Sequence, residues 1–210
     1  MEVSVIIPAF NEEKNISRVL EPLSSFKEPY EILVVNDGST DKTSDIAYSF
    51  GIQVLNLPKN IGKSYAMQAG LNNTSGDVIL YLDADLIGLR PEHIQWLISP
   101  IKEGFADMTV GVFCSGRGMT DLAQKLTPFL SGQRGVKRES LSRLREEEWE
   151  SGFGIEVALT RYAKEHQLHI LEIPLENVSQ TMKEEKLGLA KGMKARLKMY
   201  WEIVKELNRN

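Results

Sequence analysis

The sequence predicts an α/β protein whose sheet is mostly parallel and covered by helices on both faces. Two observations carry that expectation. Short apolar runs alternate with amphipathic stretches through residues 3–90, the pattern of strands joined by crossover helices. The runs are nearly continuous rather than alternating, as in Val-Ile-Ile and Ile-Leu-Val-Val, which suits strands buried on both faces.

The elements follow in order. A strand over 3–8 leads to an amphipathic stretch carrying Ile16, Val19, Leu20 and Leu23, with Asn11 as its side-chain cap. A second strand over 31–36 runs into the turn residues Asp37-Gly38-Ser39-Thr40, then a helix through Ile46, Ala47 and Phe50 that Gly51 stops. A strand over 54–57, a helix over 63–72 and a strand over 77–82 complete the first half. Beyond it, a strand is expected over 107–113, a helix over 120–129, a glycine-containing segment over 131–137, a helix over 155–166 and a strand over 168–173. The tail, 186–207, reads as one long amphipathic helix. Leu189, Met193, Leu197, Tyr200, Val204 and Leu207 share one face, and Lys191, Lys194, Lys198 and Lys205 lie on another. Such a helix packs on its own domain or on a second copy, making a homodimer; with Trp201 and a basic face it also suits peripheral contact with a membrane surface. No repeat, low-complexity tract or linker divides the chain, so one domain over 1–210 is expected.

Bulk properties limit the function. The 210 residues, 42% hydrophobic and 26% charged, suffice for a substantial core. A net charge of −4 argues against a general nucleic-acid binder. Cys114, the sole cysteine, cannot form an internal disulfide and is expected to be a buried structural thiol in a reducing compartment. Met1-Glu2 lacks the basic region of a signal peptide, and no apolar run approaches the ~20 residues that span a bilayer. A soluble, cytoplasmic protein is expected, at most peripheral at the membrane's inner face.

Ligands of open α/β sheets bind beyond the carboxyl ends of the strands, and polar residues cluster there. The first strand ends in Pro8-Ala9-Phe10-Asn11-Glu12, the second in Asn36-Asp37-Gly38-Ser39 and the fourth in Asp83-Ala84-Asp85. Each cluster alone could simply cap a helix; three on one rim point to a site. Two carboxylates one residue apart after a buried strand crowd negative charge, which a divalent cation relieves. Mg²⁺ or Mn²⁺ takes carboxylate oxygens and bridges them to diphosphate oxygens. His93, His166 and His169 have no metal-binding spacing and read as surface or structural.

Val5-Ile6-Ile7-Pro8-Ala9-Phe10-Asn11-Glu12, Val34-Val35-Asn36-Asp37-Gly38-Ser39-Thr40-Asp41, Asn60-Ile61-Gly62-Lys63 and Asp83-Ala84-Asp85 resemble the ordered motifs of family 2 glycosyltransferases. The resemblance implies the three-layer α/β/α GT-A fold and hexosyl transfer, with glucose the implied sugar, from a UDP-sugar donor. It places Pro8, Ala9 and Glu12 around the uridine with neighbouring Phe10, has Asp37 accept from the base, and sets Gly62 and Lys63 near the nucleotide. Asp85 would contact the metal; Asp83, beside Ala84, would reach ribose or metal. It divides the chain into a nucleotide-sugar half over 1–90, an acceptor half over 91–185 and the C-terminal helix. Ser131-Gly132-Gln133-Arg134-Gly135 and Gly152-Phe153-Gly154-Ile155-Glu156 resemble the subgroup of glucosyl-3-phosphoglycerate and mannosyl-3-phosphoglycerate synthases. Gly132 and Gly135 would permit close backbone approach, and Arg134 would hold a phosphate or the acceptor. Glu156 reads equally as a helix-dipole partner and as a group facing the donor sugar or acceptor hydroxyl.

The chain departs from that subgroup at one position. Gln180 stands where the subgroup has a metal-binding histidine, and an amide oxygen is a weaker ligand for a hard ion. The acceptor, whether small, phosphorylated or lipid-linked, is not fixed by these motifs, nor is the stereochemical outcome. Two alternatives stand beside transfer. A non-catalytic sugar-nucleotide-binding protein is kept in view by Gln180. A nucleotidyltransferase ranks lower, because 8–12 has no glycine-rich basic phosphate loop.

Overall fold

The computed structural model describes residues 1–25, 30–114, 131–149 and 155–180. The helix expected over 120–129, the C-terminal helix expected over 186–207, and Gly152, Phe153 and Gly154 lie outside them.

The first half alternates strand and helix as expected: β1 Val3–Ala9, α1 Ile16–Ser24, β2 Glu31–Asn36, α2 Thr43–Ser49, β3 Gln53–Asn56, α3 Lys63–Asn72 and β4 Val78–Tyr81. The second half adds β5 Leu86–Ile87, α4 Pro91–Lys102, β6 Met108–Phe113, β7 Arg134–Lys137, α5 Arg138–Ser142, α6 Glu146–Trp149, α7 Ile155–Glu165, β8 Ile170–Leu175 and β9 Ser179–Gln180.

Seven strands form one sheet in the order β3-β2-β1-β4-β7-β6-β8. Every pairing is parallel except those of β7, which runs antiparallel to both β4 and β6. Period-two alternation sorts the strand side chains onto two faces. Val5, Ile7, Val34 and Leu80 pack with residues of α1, α2 and α4. Ile6, Val35, Ile79 and Val136 pack with α3, α5, α6 and α7. Both faces are therefore covered, which makes three layers. Burying side chains of this size contributes about 1.5–3 kcal/mol each.

Four local expectations are corrected. Asn11 is not the cap of α1: its backbone is left-handed, φ 54°, and its amide oxygen accepts from the Thr40 backbone N–H at 2.9 Å. Asn15 occupies the cap position instead. Cys114 is exposed, because it lies one residue past the end of β6. The segment 131–137 contains a strand, β7, whose Gly135 lets α4 approach: a Cβ there would meet the Leu97 carbonyl oxygen at 2.7 Å and Thr109 Oγ1 at 2.6 Å. Helix α4 has no counterpart among the expected elements, although Pro91 opens it and Ile94, Leu97, Ile98 and Ile101 carry its buried face. Gly51 does end α2, in the left-handed region at φ 71°, and its N–H bonds to the Tyr48 carbonyl. His93 is buried at the start of α4, where its ring accepts from the Arg90 N–H, and His166 stacks on Tyr162; both are structural.

Candidate active site

The parallel strands β1, β2 and β4 bring their carboxyl ends to one rim. Because β7 is antiparallel to β4, with Tyr81 opposite Arg134, the segment entering β7 reaches that same rim. Topology thus sets 131–133 beside Asp83.

Two loops are clasped at the β1–β2 end. The Asn11 N–H donates to Ser39 Oγ at 2.9 Å, the Glu12 N–H to Thr43 Oγ1 at 2.8 Å and the Glu13 N–H to Asp41 Oδ2 at 3.0 Å. Asn15 Nδ2 donates to Glu12 Oε2 at 2.8 Å. Pro8 is half-buried and Ala9 buried, while Phe10 stays 45% exposed at the rim.

Asp37 holds the next loop. Its carboxylate accepts the backbone N–H groups of Ile61 and Gly62 and the Asn60 amide, each at 2.9 Å. Its role in this arrangement is to fix Gly62 and Lys63, and it is 3% exposed. A carboxylate offers about four lone-pair sites, of which these bonds take three. Gly38 must be glycine here: φ is +69° and the Lys59–Asn60 backbone lies against it.

Lys63, the first residue of α3, joins the two halves of the site. Its Nζ pairs with Asp83 Oδ1 and, at 2.5 Å, with Glu156 Oε1 in the first turn of α7. Asp83 Oδ2 accepts from Gln133 Nε2 at 2.8 Å and from Gln180 Nε2. Gly132 makes this approach feasible, since a Cβ on it would lie 2.5 Å from both Asp83 oxygens. Gln180 arrives through the ribbon in which β9 pairs antiparallel with β5, Leu86 opposite Gln180. Ala84 is buried and Asp85 partly exposed on the same turn.

The charges are mutually stabilised. Burial alone would raise Asp83, but the Lys63 ammonium and the hydrogen bonds from Lys63, Gln133 and Gln180 hold its carboxyl below the usual carboxylate range. Burial likewise disfavours the Lys63 cation, yet Asp83 and Glu156 outweigh it and raise the ammonium well above its ordinary value. The lysine side chain as a whole is 39% exposed, with its head between the two carboxylates. Neither Asp83 nor Lys63 changes protonation near neutrality, so both act through charge and position.

The structure therefore brings together Lys63, Asp83, Glu156 and Gln180, and adds Gln133, which no motif had singled out for this contact. One expectation is corrected. Arg134 is fully buried and does not face an acceptor: Nε donates to the Ser131 carbonyl and Nη1 to Thr160 Oγ1, both at 2.8 Å. Gln180 presents its amide nitrogen to the Asp83 carboxylate. Gly135 packs against α4 and Thr109.

Among the described residues no group of three or more His, Cys, Asp or Glu could hold a metal alone. The donor set Asp83 and Asp85 still fits Mg²⁺ or Mn²⁺, because such ions need only one or two carboxylates when water and substrate phosphates complete the shell. No helix among the described residues is long and apolar enough to cross a membrane.

The family model described as glycosyl transferase family 2 matches residues 4–162. The chain belongs to this family. It has the GT-A fold. It is 30% identical over 195 residues to glucosyl-3-phosphoglycerate synthase of Mycobacterium tuberculosis, covering 75% of this chain and 59% of that one. It is 37% identical over 115 residues to undecaprenyl-phosphate 4-deoxy-4-formamido-L-arabinose transferase of Yersinia enterocolitica, covering 50% and 35%. The chain thus spans well under two thirds of the length of these relatives. A solved structure of the Mycobacterium tuberculosis synthase with Mn²⁺, UDP and glucosyl-3-phosphoglycerate superposes with a TM-score of 0.74 at 25% identity, covering 94% of this chain and 79% of that one. Another, with Mn²⁺, UDP-glucose and phosphoglyceric acid, gives 0.71 at 25% identity with the same coverage.

Proposed function

We propose that this family 2 glycosyltransferase moves a hexose, best supported as glucose, from a UDP-sugar to the hydroxyl of a phosphorylated small molecule. The observation that carries the reading is the Lys63–Asp83–Glu156 junction at the carboxyl rim, braced by Gln133 and Gln180. UDP-glucose and a phosphorylated acceptor are favoured because the synthase solved with them matches 94% of this chain, whereas the relative named for a lipid phosphate matches 50%.

In this reading Pro8, Ala9, Phe10, Glu12 and Asp37 form the uridine side, with Gly62, Lys63, Asp83 and Ala84 next to the ribose and diphosphate. Asp85, with Asp83, would hold Mg²⁺ or Mn²⁺, which when bound supplies positive charge to a departing diphosphate. Lys63 keeps its proton through the neutral range and adds a second positive charge there. Glu156 fixes the lysine's head and borders the space into which the sugar and acceptor hydroxyl project. Residues 1–90 supply the donor half and 91–185 the acceptor half.

The test is a transfer assay with UDP-glucose and a panel of phosphorylated hydroxyl acceptors, reading product mass. Asp85→Ala is expected to abolish transfer, and Lys63→Met to lower it about 10²-fold, the scale for losing one electrostatic contact to developing charge. Full activity in Asp85→Ala would remove the carboxylate, and the metal with it, from the mechanism. UDP-glucose binding with no transfer to any acceptor would favour the sugar-nucleotide-binding alternative.

A further inference from the structure

Arg134 is the largest fully buried side chain among the described residues, yet it is charged, and neither nucleotide binding nor transfer as described above uses it. Its contacts explain the placement. Nε donates to the carbonyl of Ser131, at the start of the segment that carries Gly132 and Gln133. Nη1 donates to Thr160 Oγ1, whose hydroxyl donates in turn to the Glu156 carbonyl at 2.9 Å, one helical turn earlier in α7. Met108 Sδ lies 3.7 Å from Nη1. One guanidinium therefore ties together the two segments whose side chains meet Asp83 and Lys63.

The charges agree with the contacts. Burial lowers Arg134 to about 10, opposed by the nearby carboxylates of Glu156 and Asp83; at neutral pH it remains a cation. Two carboxylates, Asp83 and Glu156, thus lie between two cations: Lys63 at the rim and Arg134 beneath. An arginine suits this position because its planar fork holds two acceptors in fixed directions, which a lysine cannot reproduce.

We propose that Arg134 is a positioning residue for the donor site, fixing the Gln133 amide and the Glu156 carboxylate that together set the orientation of Asp83 and Lys63. The inference rests on the proposed donor site. Its reach is the metal-dependent part of nucleotide binding, since the uridine side is built at the ends of β1 and β2, whereas these bonds of Arg134 lead to the segment entering β7 and to α7.

The test is calorimetric titration of UDP into the full chain with and without Mn²⁺, recording stoichiometry separately from affinity. Arg134→Met is expected to leave metal-free UDP binding within about twofold while weakening Mn²⁺-dependent binding about tenfold, the scale of lost outer-shell support for a metal site. Arg134→Lys, which keeps the charge and loses the fork, should recover only part. A purely structural role would lower the binding-competent fraction and leave the ratio of the two dissociation constants unchanged, and that result overturns the proposal. If Arg134→Met does not fold, Thr160→Val decides: it keeps the volume, severs the link to Glu156, and should lower the Mn²⁺-dependent affinity. An unchanged ratio in Thr160→Val likewise overturns it. Absence of UDP binding in the unsubstituted protein would count against the donor site itself, a different outcome from either.

Discussion

Asp83 shows how much one carboxylate can organise when every neighbour donates to it. Lys63 comes from α3, Gln133 from the entry to β7 and Gln180 from β9, so segments 50 and 97 residues away in sequence converge on one side chain. The first-half partners of this junction stood in motifs, and Glu156 and Gln180 came from the family resemblance. The contact of Gln133 with Asp83 had no local signature, because it arises from the antiparallel direction of a strand rather than from any spacing. The burial of Arg134 was equally hidden: a guanidinium beside glycines reads as a phosphate ligand until its partners Ser131 and Thr160 are seen. The acid response belongs to this scale. Burial pushes Asp41 up, but hydrogen bonds from the Thr43 hydroxyl and from the Glu13 and Thr43 backbone outweigh it and lower the carboxyl. Asp107 is lowered by Lys137 and the His169 backbone, and Glu31 by Ser4, Ser75 and Gly76 against its burial. A carboxyl lowered in the folded state contributes stability that is present above its unfolded value, about 4, and is lost as pH falls through the folded value. Thermal midpoints should therefore hold from neutrality to about pH 4 and drop below it. Asp41→Asn should lower the midpoint at neutral pH and flatten the drop, whereas an equal decrement at every pH would show that Asp41 does not contribute to it.

At the scale of elements, the first half was legible because its strands are uninterrupted apolar runs and its helices begin and end on turn residues; helix α3 was expected over 63–72 and is found there. The second half was less so, for reasons that differ by element. Strand β7 carries Arg134 and Lys137 around Gly135, a composition that resembles a loop. The β5–β9 ribbon has two residues on each side, too few for any periodicity, yet it delivers Gln180 to the site. Helix α4 had the usual signals, with Pro91 at its start and apolar spacing of three and four. Gly135 joins β7 to α4, and its substitution measures how closely the two must approach. Gly135→Ala should cost about 1–3 kcal/mol by overpacking, read as a lower denaturation midpoint at unchanged slope. A cost near zero would mean that α4 can shift away freely.

The whole molecule places its chemistry by strand order. Strands β3-β2-β1-β4 present the proposed nucleotide side on one rim, and a single reversed strand, β7, turns the chain back so that second-half residues meet the carboxylate that follows β4. The Lys63–Asp83–Glu156 junction draws on the face covered by α3 and α7, whose first turns supply Lys63 and Glu156. The proposed function requires this rim to bind a uridine diphosphate through a metal held with Asp85. Calorimetric titration of UDP and UDP-glucose, with and without Mn²⁺ and beside GDP, tests that requirement. UDP is expected to bind, more tightly with Mn²⁺ and more tightly than GDP, and the metal dependence is expected to disappear in Asp85→Ala. Uridine nucleotides that fail to bind in any metal condition, or metal-dependent binding that survives in Asp85→Ala, would contradict it.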